Sequence, residues 1–416
     1  MTTFDVAIVG GGPSGAAAAH YLAGRGHSVL VCEKKSFPRE KTCGDGLTPR
    51  AVKELAEMGL GDELTRWETV KGLRIHAAGR VLELEWPKLD EWANYGLVKP
   101  RKDLDSLVLA NAEAAGAKVL QNTHVTAPIF DGDTVVGVVA KRDGEDERIN
   151  ARFVICAEGA ATKFARSLGR VRNTDYPMGW AIRQYFRSPM QSCGWFEAFL
   201  EVKLGPDALP GYGWVFPVGD GTVNAGVGLL STYGGWKDVN LNELQRNFIA
   251  HLPPEWEINS DTVVSKPRGG RLFMGQSVWP PHGPGFVLVG DAAGMINPCN
   301  GEGIAYGYET GRIAGRHIDE ALRNGSNVTL DSYTAELEET YGPYYRLGRR
   351  FVRLIGHPEL MERLVSMGMR SKRLMSFALT FMANLEDPKR SGVQQIGLRA
   401  LKKIAELKPE SGVKGP

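Results

Sequence analysis

The stretch Phe4-Asp5-Val6-Ala7-Ile8-Val9-Gly10-Gly11-Gly12-Pro13-Ser14-Gly15-Ala16-Ala17-Ala18 decides the reading of this chain. A short, mostly apolar run stops at three glycines and passes into alanine-rich sequence of helical spacing. Ser28-Val29-Leu30-Val31-Cys32 then reads as a second buried strand, ending at Glu33. Strand, glycine turn, helix and strand within about 30 residues form a βαβ unit, the opening of a parallel sheet. The glycines stand as Gly10-x-Gly12-x-x-Gly15. They permit a tight turn and bring backbone N–H groups against a pyrophosphate at a helix N-terminus. Glu33 follows Gly10 by 23 residues, where a carboxylate can accept both hydrogen bonds of a ribose diol. This unit predicts a dinucleotide site.

Outward from it, residues 34–50 are irregular and rich in charge, Gly and Pro. Helices are expected over 53–64 and 103–115, the second stopped by Gly116. Strands follow near 118–120, 135–141 and 153–157. Residues 68–97, with Trp86 and Trp92, alternate like strands of another layer. Residues 175–283 read as strands broken by Gly and Pro, which argues for a separate antiparallel sheet. The chain then returns to a buried strand, Phe286-Val287-Leu288-Val289, and a long helix over 303–323.

Composition narrows the function classes. The chain has 416 residues, 43% hydrophobic and 24% charged, so it can build a sizeable core over two or three domains. Lys+Arg (50) and Asp+Glu (48) nearly cancel, leaving no whole-chain basic field for nucleic acid. The cysteines Cys32, Cys43, Cys156, Cys193 and Cys299 are scattered without a CxxC, so zinc ribbons and iron–sulfur clusters lack their usual signature and no metal site is read. Reduced thiols in the cytosol are expected. A strand begins within four residues of the N-terminus, so no signal peptide is expected, and no run of 18 apolar residues offers a spanning helix. The charge is uneven, however: residues 343–416 hold 15 Lys+Arg against 6 Asp+Glu. There Leu374, Phe377, Ala378, Phe381, Met382 and Leu385 mark an amphipathic helix beside Arg370, Lys372 and Arg373. Such a segment suits either the surface of an anionic bilayer or a cap on the rest of the protein.

Two further segments choose the dinucleotide. Phe286-Val287-Leu288-Val289-Gly290-Asp291-Ala292-Ala293-Gly294 resembles the second FAD fingerprint of the glutathione-reductase-like flavoproteins, whose aspartate bonds the ribityl chain. Cys156-Ala157-Glu158-Gly159-Ala160-Ala161-Thr162 resembles the Asp-Gly motif of the hydroxylase-like subgroup, with Glu and Thr in place of Asp and Ser. Arg101 and Arg166 stand where that subgroup places arginines, which implies Arg101 near the FAD phosphates. FAD is therefore the expected cofactor. The expected fold class is α/β (α+β overall), a Rossmann FAD domain of the glutathione-reductase and p-hydroxybenzoate-hydroxylase type. Its discontinuous FAD-binding domain spans 1–67, 98–170 and 284–325. An inserted antiparallel-sheet substrate domain spans 68–97 and 171–283, and a helical, basic C-terminal region spans 326–416.

Phe37-Pro38-Arg39-Glu40-Lys41-Thr42-Cys43-Gly44-Asp45-Gly46-Leu47-Thr48-Pro49 resembles the cysteine loop of the geranylgeranyl reductase family. Tyr212-Gly213-Trp214-Val215-Phe216-Pro217, eight residues, then Gly226-Val227-Gly228 is similar to that family's YxWxFP…GxG signature. Pro298-Cys299-Asn300-Gly301-Glu302-Gly303 matches its flavin-side loop. Within the family, Cys43 to Arg50 and Leu209 to Trp214 look most like the branch that saturates one double bond of a menaquinone tail in actinobacteria. The resemblance implies cofactor contacts from Gly10, Gly12, Pro13, Ser14, Gly15, Glu33, Lys34, Cys43, Gly44, Arg101, Val125, Asp291, Gly301, Gly303 and Ile304. It implies catalytic roles for Cys43, Tyr212 and Trp214, and a substrate wall of Tyr212, Trp214 and Phe216.

The residues suit that chemistry. Tyr212, Trp214 and Phe216 alternate and so share one face of a strand, which suits either the core of a sheet or an apolar wall for an isoprenoid chain, and the resemblance implies the wall. Saturating an unactivated alkene adds a hydride to one carbon and a proton to the other, and the proton needs a positioned acid in a dry pocket. Cys43 and Tyr212 are the two side chains offered for it. The backbone N–H groups at Gly301-Glu302-Gly303 would face the flavin ring from a helix start. An external electron donor is required, either NAD(P)H or a reduced carrier protein. The expected function is an FAD-dependent reductase of a polyprenyl lipid substrate, in first place the menaquinone tail, cytoplasmic and peripheral on the inner face of the cell membrane. Geranylgeranyl diphosphate, geranylgeranylated pigments and ether lipids are the alternative substrates. A flavin monooxygenase or halogenase is the competing enzyme class, although the halogenase WxWxIP motif is missing. A prenyl carrier of the Rab-escort and GDI kind is the non-enzyme alternative.

Overall fold

The strand Thr3–Val9 sits at the centre of an eight-stranded sheet in the computed structural model, which describes residues 3–204, 207–324, 330–387 and 393–407. Five strands run parallel in the order Phe286–Leu288, Glu145–Cys156, Thr3–Val9, Val29–Cys32 and Lys118–Leu120. Their core is continuously apolar: Val6, Ala7, Ile8, Val31, Val154 and Val287 are fully buried, because helices and loops cover both faces. The strand Glu145–Cys156 is long enough to serve two purposes. Its second half joins the parallel sheet, and its first half pairs antiparallel with Thr134–Arg142, which pairs in turn with His124–Asp131.

The helix Pro13–Ala23 packs against Arg101–Ala114 and Ile304–Asn324. Glycine sets the second of these approaches, since a Cβ on Gly311 would lie 2.4 Å from the Ser14 carbonyl oxygen. The helix expected over 53–64 instead begins at Pro49 and is interrupted at Gly59, whose φ of +80° takes it out of helical geometry.

The second sheet has seven strands in the order Arg268–Phe273, Met178–Arg187, Thr222–Leu230, Gly211–Pro217, Phe196–Phe199, Gly72–Ala77 and Arg80–Glu85. All pairs are antiparallel but one, Phe196–Phe199 with Gly72–Ala77. Residues 68–97 do not all enter it: Glu68–Val70 and Gly96–Val98 join Gly46–Leu47 in a three-stranded sheet. That small sheet brings the segment after Cys43 against the seven-stranded sheet, where Gly46 and Gly96 both face Phe196.

After the long helix come Asp331–Leu354, Pro358–Gly368, Lys372–Met382 and Val393–Leu407. Residues 325–329, 388–392 and 408–416 of the basic C-terminal region lie outside the described residues. No helix among those described is long and apolar enough to cross a membrane. The apolar face read on the tail turns inward. Leu374, Phe377, Ala378, Phe381 and Met382 line the central cavity, and Leu385 is fully buried beside the edge of the seven-stranded sheet.

Candidate active site

One cavity of about 1630 Å3 runs from the glycine turn, past the cysteine loop and the aromatic strand, to the C-terminal helices. Small-ligand pockets usually hold about 300–1000 Å3, so this space is large enough for a cofactor and part of a second molecule.

At its first end Gly10, Gly12, Pro13, Ser14, Glu33, Lys34 and Val125 form the wall. Gly10 has φ +105°, and a Cβ there would lie 2.5 Å from the Ala157 carbonyl oxygen, so only glycine makes this turn. Gly15 is the exception among the residues read as cofactor contacts. It does not reach the cavity, because it packs on the turn itself, where a Cβ would lie 1.9 Å from the Gly10 carbonyl. Glu33 is fixed at the strand end by accepting from the Gly11 and Lys35 backbone N–H groups, each at 2.9 Å. Glu158 accepts from the Ala165 N–H at 2.8 Å and the Phe164 N–H at 3.2 Å, so it caps the helix Lys163–Ser167.

Arg101 lies in the wall and grips Asp105 through Nε at 2.7 Å and Nη2 at 2.8 Å. Arg39 reaches the same carboxylate at 2.9 Å, and Lys41 lies close by, its ammonium pushed below the usual lysine range by burial. Two arginines and a lysine thus gather round one buried aspartate, leaving positive charge for a diphosphate. Asp291 ends the strand at the opposite wall. Burial raises its carboxyl above the usual range while Lys41 and Arg101 oppose the rise, and the carboxylate oxygens take no hydrogen bond from any described residue. A carboxylate so placed fits a hydroxylated ligand chain. Gly301 (φ +78°), Gly303 and Ile304 complete this wall at the start of the long helix.

The middle of the cavity brings together Cys43, Gly44, Tyr212, Trp214 and Phe216. The aromatic wall is staggered rather than flat: Tyr212 and Trp214 are tilted by 51° with centroids 5.8 Å apart, Trp214 and Phe216 by 37° at 6.3 Å. Gly44 permits the loop to approach it, since a Cβ would lie 3.3 Å from both Trp214 and Phe216. The Tyr212 hydroxyl donates to the Asn300 carbonyl at 2.8 Å, and burial pushes its pKa up to about 12. Burial also raises the Cys43 thiol, although Arg101 beside it pulls the other way. The thiol therefore stays protonated at neutral pH.

Four side chains here escaped the sequence reading. Asp45, Arg183, Tyr185 and Asn224 are buried and bonded to the cysteine loop. Asn224 lies in the eight-residue spacer of the YxWxFP…GxG signature, and Asp45 lies inside the quoted loop, so both were in view without a signal for their contacts. Glu302 accepts from the Thr48 hydroxyl at 2.5 Å, and burial raises its carboxyl to about 7.

The far end of the cavity is almost wholly apolar, walled by Leu347, Phe351, Ile355, Met361, Leu364, Val365, Met375 and the tail residues named above. Met367 and Leu374 line it too, yet are 55% and 41% exposed, and so mark a rim open to solvent.

A parallel sheet with this glycine turn, an acidic strand end and the Gly290-Asp291 wall defines a flavoprotein of the hydroxylase-like class. Residues 3–340 match the FAD-binding domain family. The chain is 38% identical over 390 residues to the menaquinone reductase of Mycolicibacterium smegmatis, covering 92% of each. It is 31% identical over 350 residues to the digeranylgeranylglycerophospholipid reductase of Methanocella arvoryzae, covering 82% of this chain and 84% of that one. The crystal structure of a geranylgeranyl bacteriochlorophyll reductase-like protein from Thermoplasma acidophilum shares the fold with a TM-score of 0.79 at 24% identity, over 96% of this chain and all of that one. The chain belongs to the FAD-binding domain family and, within it, to the geranylgeranyl reductases. It is a flavin-dependent oxidoreductase of that type.

Proposed function

We propose that the protein reduces a carbon–carbon double bond in the polyprenyl tail of menaquinone. The observation that carries this reading is the continuity of the cavity. A dinucleotide cradle opens directly onto a thiol and three aromatics, and then onto apolar space walled by the C-terminal helices, suited to isoprene units. The 38% identity to a menaquinone reductase over 92% of each chain supports menaquinone as the lipid.

Bound and reduced, FAD supplies the hydride at N5. Glu33 and Asp291 would hold its ribose and ribityl hydroxyls, the cations round Asp105 would neutralise its diphosphate, and the helix start at Gly301–Gly303 would lie on the side of the ring. Tyr212, Trp214 and Phe216 orient the chain and exclude water. The Cys43 thiol holds the proton for the second alkene carbon. The Tyr212 hydroxyl already gives its one proton to the Asn300 carbonyl, which makes it a support for the loop. Electrons come from NAD(P)H or a reduced carrier protein outside the chain. Mass spectrometry of lipids from cells lacking the gene, with and without its restoration, tests the reading. Restoration should return menaquinone two hydrogens heavier. Unchanged quinones with altered saturation elsewhere would move the substrate to another polyprenyl lipid.

The lipid enters, in this reading, at the rim between the helices Pro358–Gly368 and Lys372–Met382, which rests on the inner face of the membrane. Arg363, Arg370, Lys372 and Arg373 are exposed beside Met367 and Leu374 there. A basic residue near an anionic surface contributes about 1 kcal/mol. Reversing Arg370, Lys372 and Arg373 to Glu should therefore weaken cosedimentation with anionic vesicles by roughly 100-fold or more, with FAD content unchanged. Equal sedimentation of both proteins would leave these helices as a cap alone.

A further inference from the structure

Asp45 has no accessible surface at all, like Asn224 to which it is bonded. It does not line the cavity. Its backbone is in the left-handed region, φ +65°, which aspartate tolerates better than most residues. Every part of it is engaged. The carboxylate accepts from the Tyr185 hydroxyl, from Asn224 Nδ2 at 2.7 Å and from the Arg101 backbone N–H at 3.3 Å. Its carbonyl accepts from the Lys99 N–H at 3.1 Å, and its own N–H points at the Cys43 sulfur at 3.3 Å.

The same partners hold Cys43 itself. Its carbonyl accepts from Asn224 Nδ2 at 2.9 Å and from Arg183 Nε at 3.2 Å, and Arg183 Nη2 also donates to the Lys41 carbonyl at 3.1 Å. Asn224 is oriented in turn by Trp214, whose Nε1 donates to Asn224 Oδ1 at 3.1 Å. Cys43 and Asp45 belong to the loop that leaves the FAD sheet, while Tyr185, Arg183, Asn224 and Trp214 belong to the seven-stranded sheet. The network therefore sets the distance between the two halves of the site.

We infer that Asp45 is a positioning residue, which holds the Cys43 thiol in register with Trp214 across the cavity. The inference rests on the reading of Cys43 as the proton donor, but its geometry does not. Both carboxylate oxygens face donors, so the ionised form is the one that fits. A protonated Asp45 has to give up one of those bonds.

The pH dependence follows from what faces the carboxylate: Tyr185 and Arg183 on one strand, Arg101 on its helix and Cys43 on its own loop, with Glu40 beyond Arg183. Burial outweighs these partners and lifts Asp45 to about 6. The sign differs for stability and for activity. A carboxyl raised above its unfolded value stabilises the fold fully only below that unfolded value, and the contribution is lost as pH rises through about 6. Positioning needs the ionised form, so turnover falls as pH drops through the same value. A group that merely stabilised the fold would not send the two in opposite directions.

The test uses the holoenzyme and Asp45→Asn, a change that keeps shape and tolerates the left-handed backbone. With FAD bound, kcat should fall roughly 10- to 100-fold at neutral pH with KM little changed, the cost of misplacing a reacting group by about 1 Å. The acidic limb of the wild-type profile should vanish. Alkylation of Cys43 by iodoacetamide, located by peptide mapping, should become several-fold faster as the loop loosens. Should Asp45→Asn fail to fold, Tyr185→Phe removes one donor to the carboxylate and should move the acidic limb to higher pH. Wild-type kcat, limb and alkylation rate in Asp45→Asn would overturn the inference. An altered alkylation rate in Asp45→Asn beside full activity in Cys43→Ala would instead keep the positioning and remove the proton role.

Discussion

Gly12→Ala is expected to give a folded protein that binds FAD roughly 100-fold more weakly, about 2.7 kcal/mol. The argument separates what the chain needs from what the cofactor needs. Gly12 has φ −72° and ψ −174°, extended backbone that alanine adopts freely. A Cβ there would meet only Arg39 Nη2, at 3.6 Å, an ordinary contact with a mobile side-chain end. The protein alone gives no reason for glycine at this position. The diphosphate does, because Gly12 lies in the cavity wall just before the helix Pro13–Ala23, where backbone N–H groups must reach the anion without an intervening methyl. The flavin absorbance of the purified protein and a titration of the apoprotein with FAD measure the effect, while thermal unfolding of both apoproteins should agree.

Two other glycines calibrate that result. Gly15→Ala drives a Cβ to 1.9 Å from the Gly10 carbonyl and should damage the fold itself. Gly61→Ala places a methyl where nothing lies within 4 Å, at a φ of −52°, and should be neutral or slightly stabilising. If Gly12→Ala holds FAD at wild-type affinity, the diphosphate does not sit on this turn.

The same distinction explains which parts of the site were legible beforehand. Local patterns carried the parallel sheet: an apolar run, a glycine spacing and an acidic strand end are short-range features, and all fall within 33 residues. The aromatic strand was legible for the same reason, since alternation of Tyr212, Trp214 and Phe216 is a property of one strand. The tail was half legible. Its spacing disclosed an apolar face, but only packing shows that Phe377 and Phe381 face a cavity while Leu374 stays at the rim. Arg101 was legible as a cavity residue through resemblance, whereas its bond to Asp105 and the arrival of Arg39 at the same carboxylate depend on how loop and helix meet. What stayed hidden was the polar network. Asp45 and Asn224 are 179 positions apart in sequence, and Tyr185 lies between them on a different strand. No periodicity marks a contact of that kind. It exists because two sheets close on one another, and burial then requires each polar atom to find a partner.

Cys43→Ala should retain FAD and lower kcat by roughly 10²- to 10⁴-fold, the range a positioned general acid contributes. The structure gives three reasons for so large an effect. The thiol lines the cavity at the join between the dinucleotide cradle and the aromatic wall, where the proposed reaction puts the alkene carbons. Its loop is tied to both sheets, so the acid is held rather than sampled. Burial keeps its pKa above the ordinary thiol value of 9.0, so the proton is present throughout the neutral range. The sign of the pH effect follows directly: an acid acts only while protonated, so wild-type kcat should hold through neutral pH and decline only above the usual thiol range. Cys43→Ala should lose that alkaline limb along with its rate. Tyr212→Phe makes the contrast. Its hydroxyl proton is committed to the Asn300 carbonyl, so its removal loosens the flavin-side loop and should cost only about three- to tenfold, a hydrogen bond of roughly 0.5–1.5 kcal/mol, with the alkaline limb intact. Single-turnover reduction of a polyprenyl quinone by photoreduced enzyme measures all three proteins without involving the natural electron donor. If Cys43→Ala turns over at the wild-type rate and Tyr212→Phe does not, the proton comes from the tyrosine, and the cysteine is there to fill the space between loop and wall.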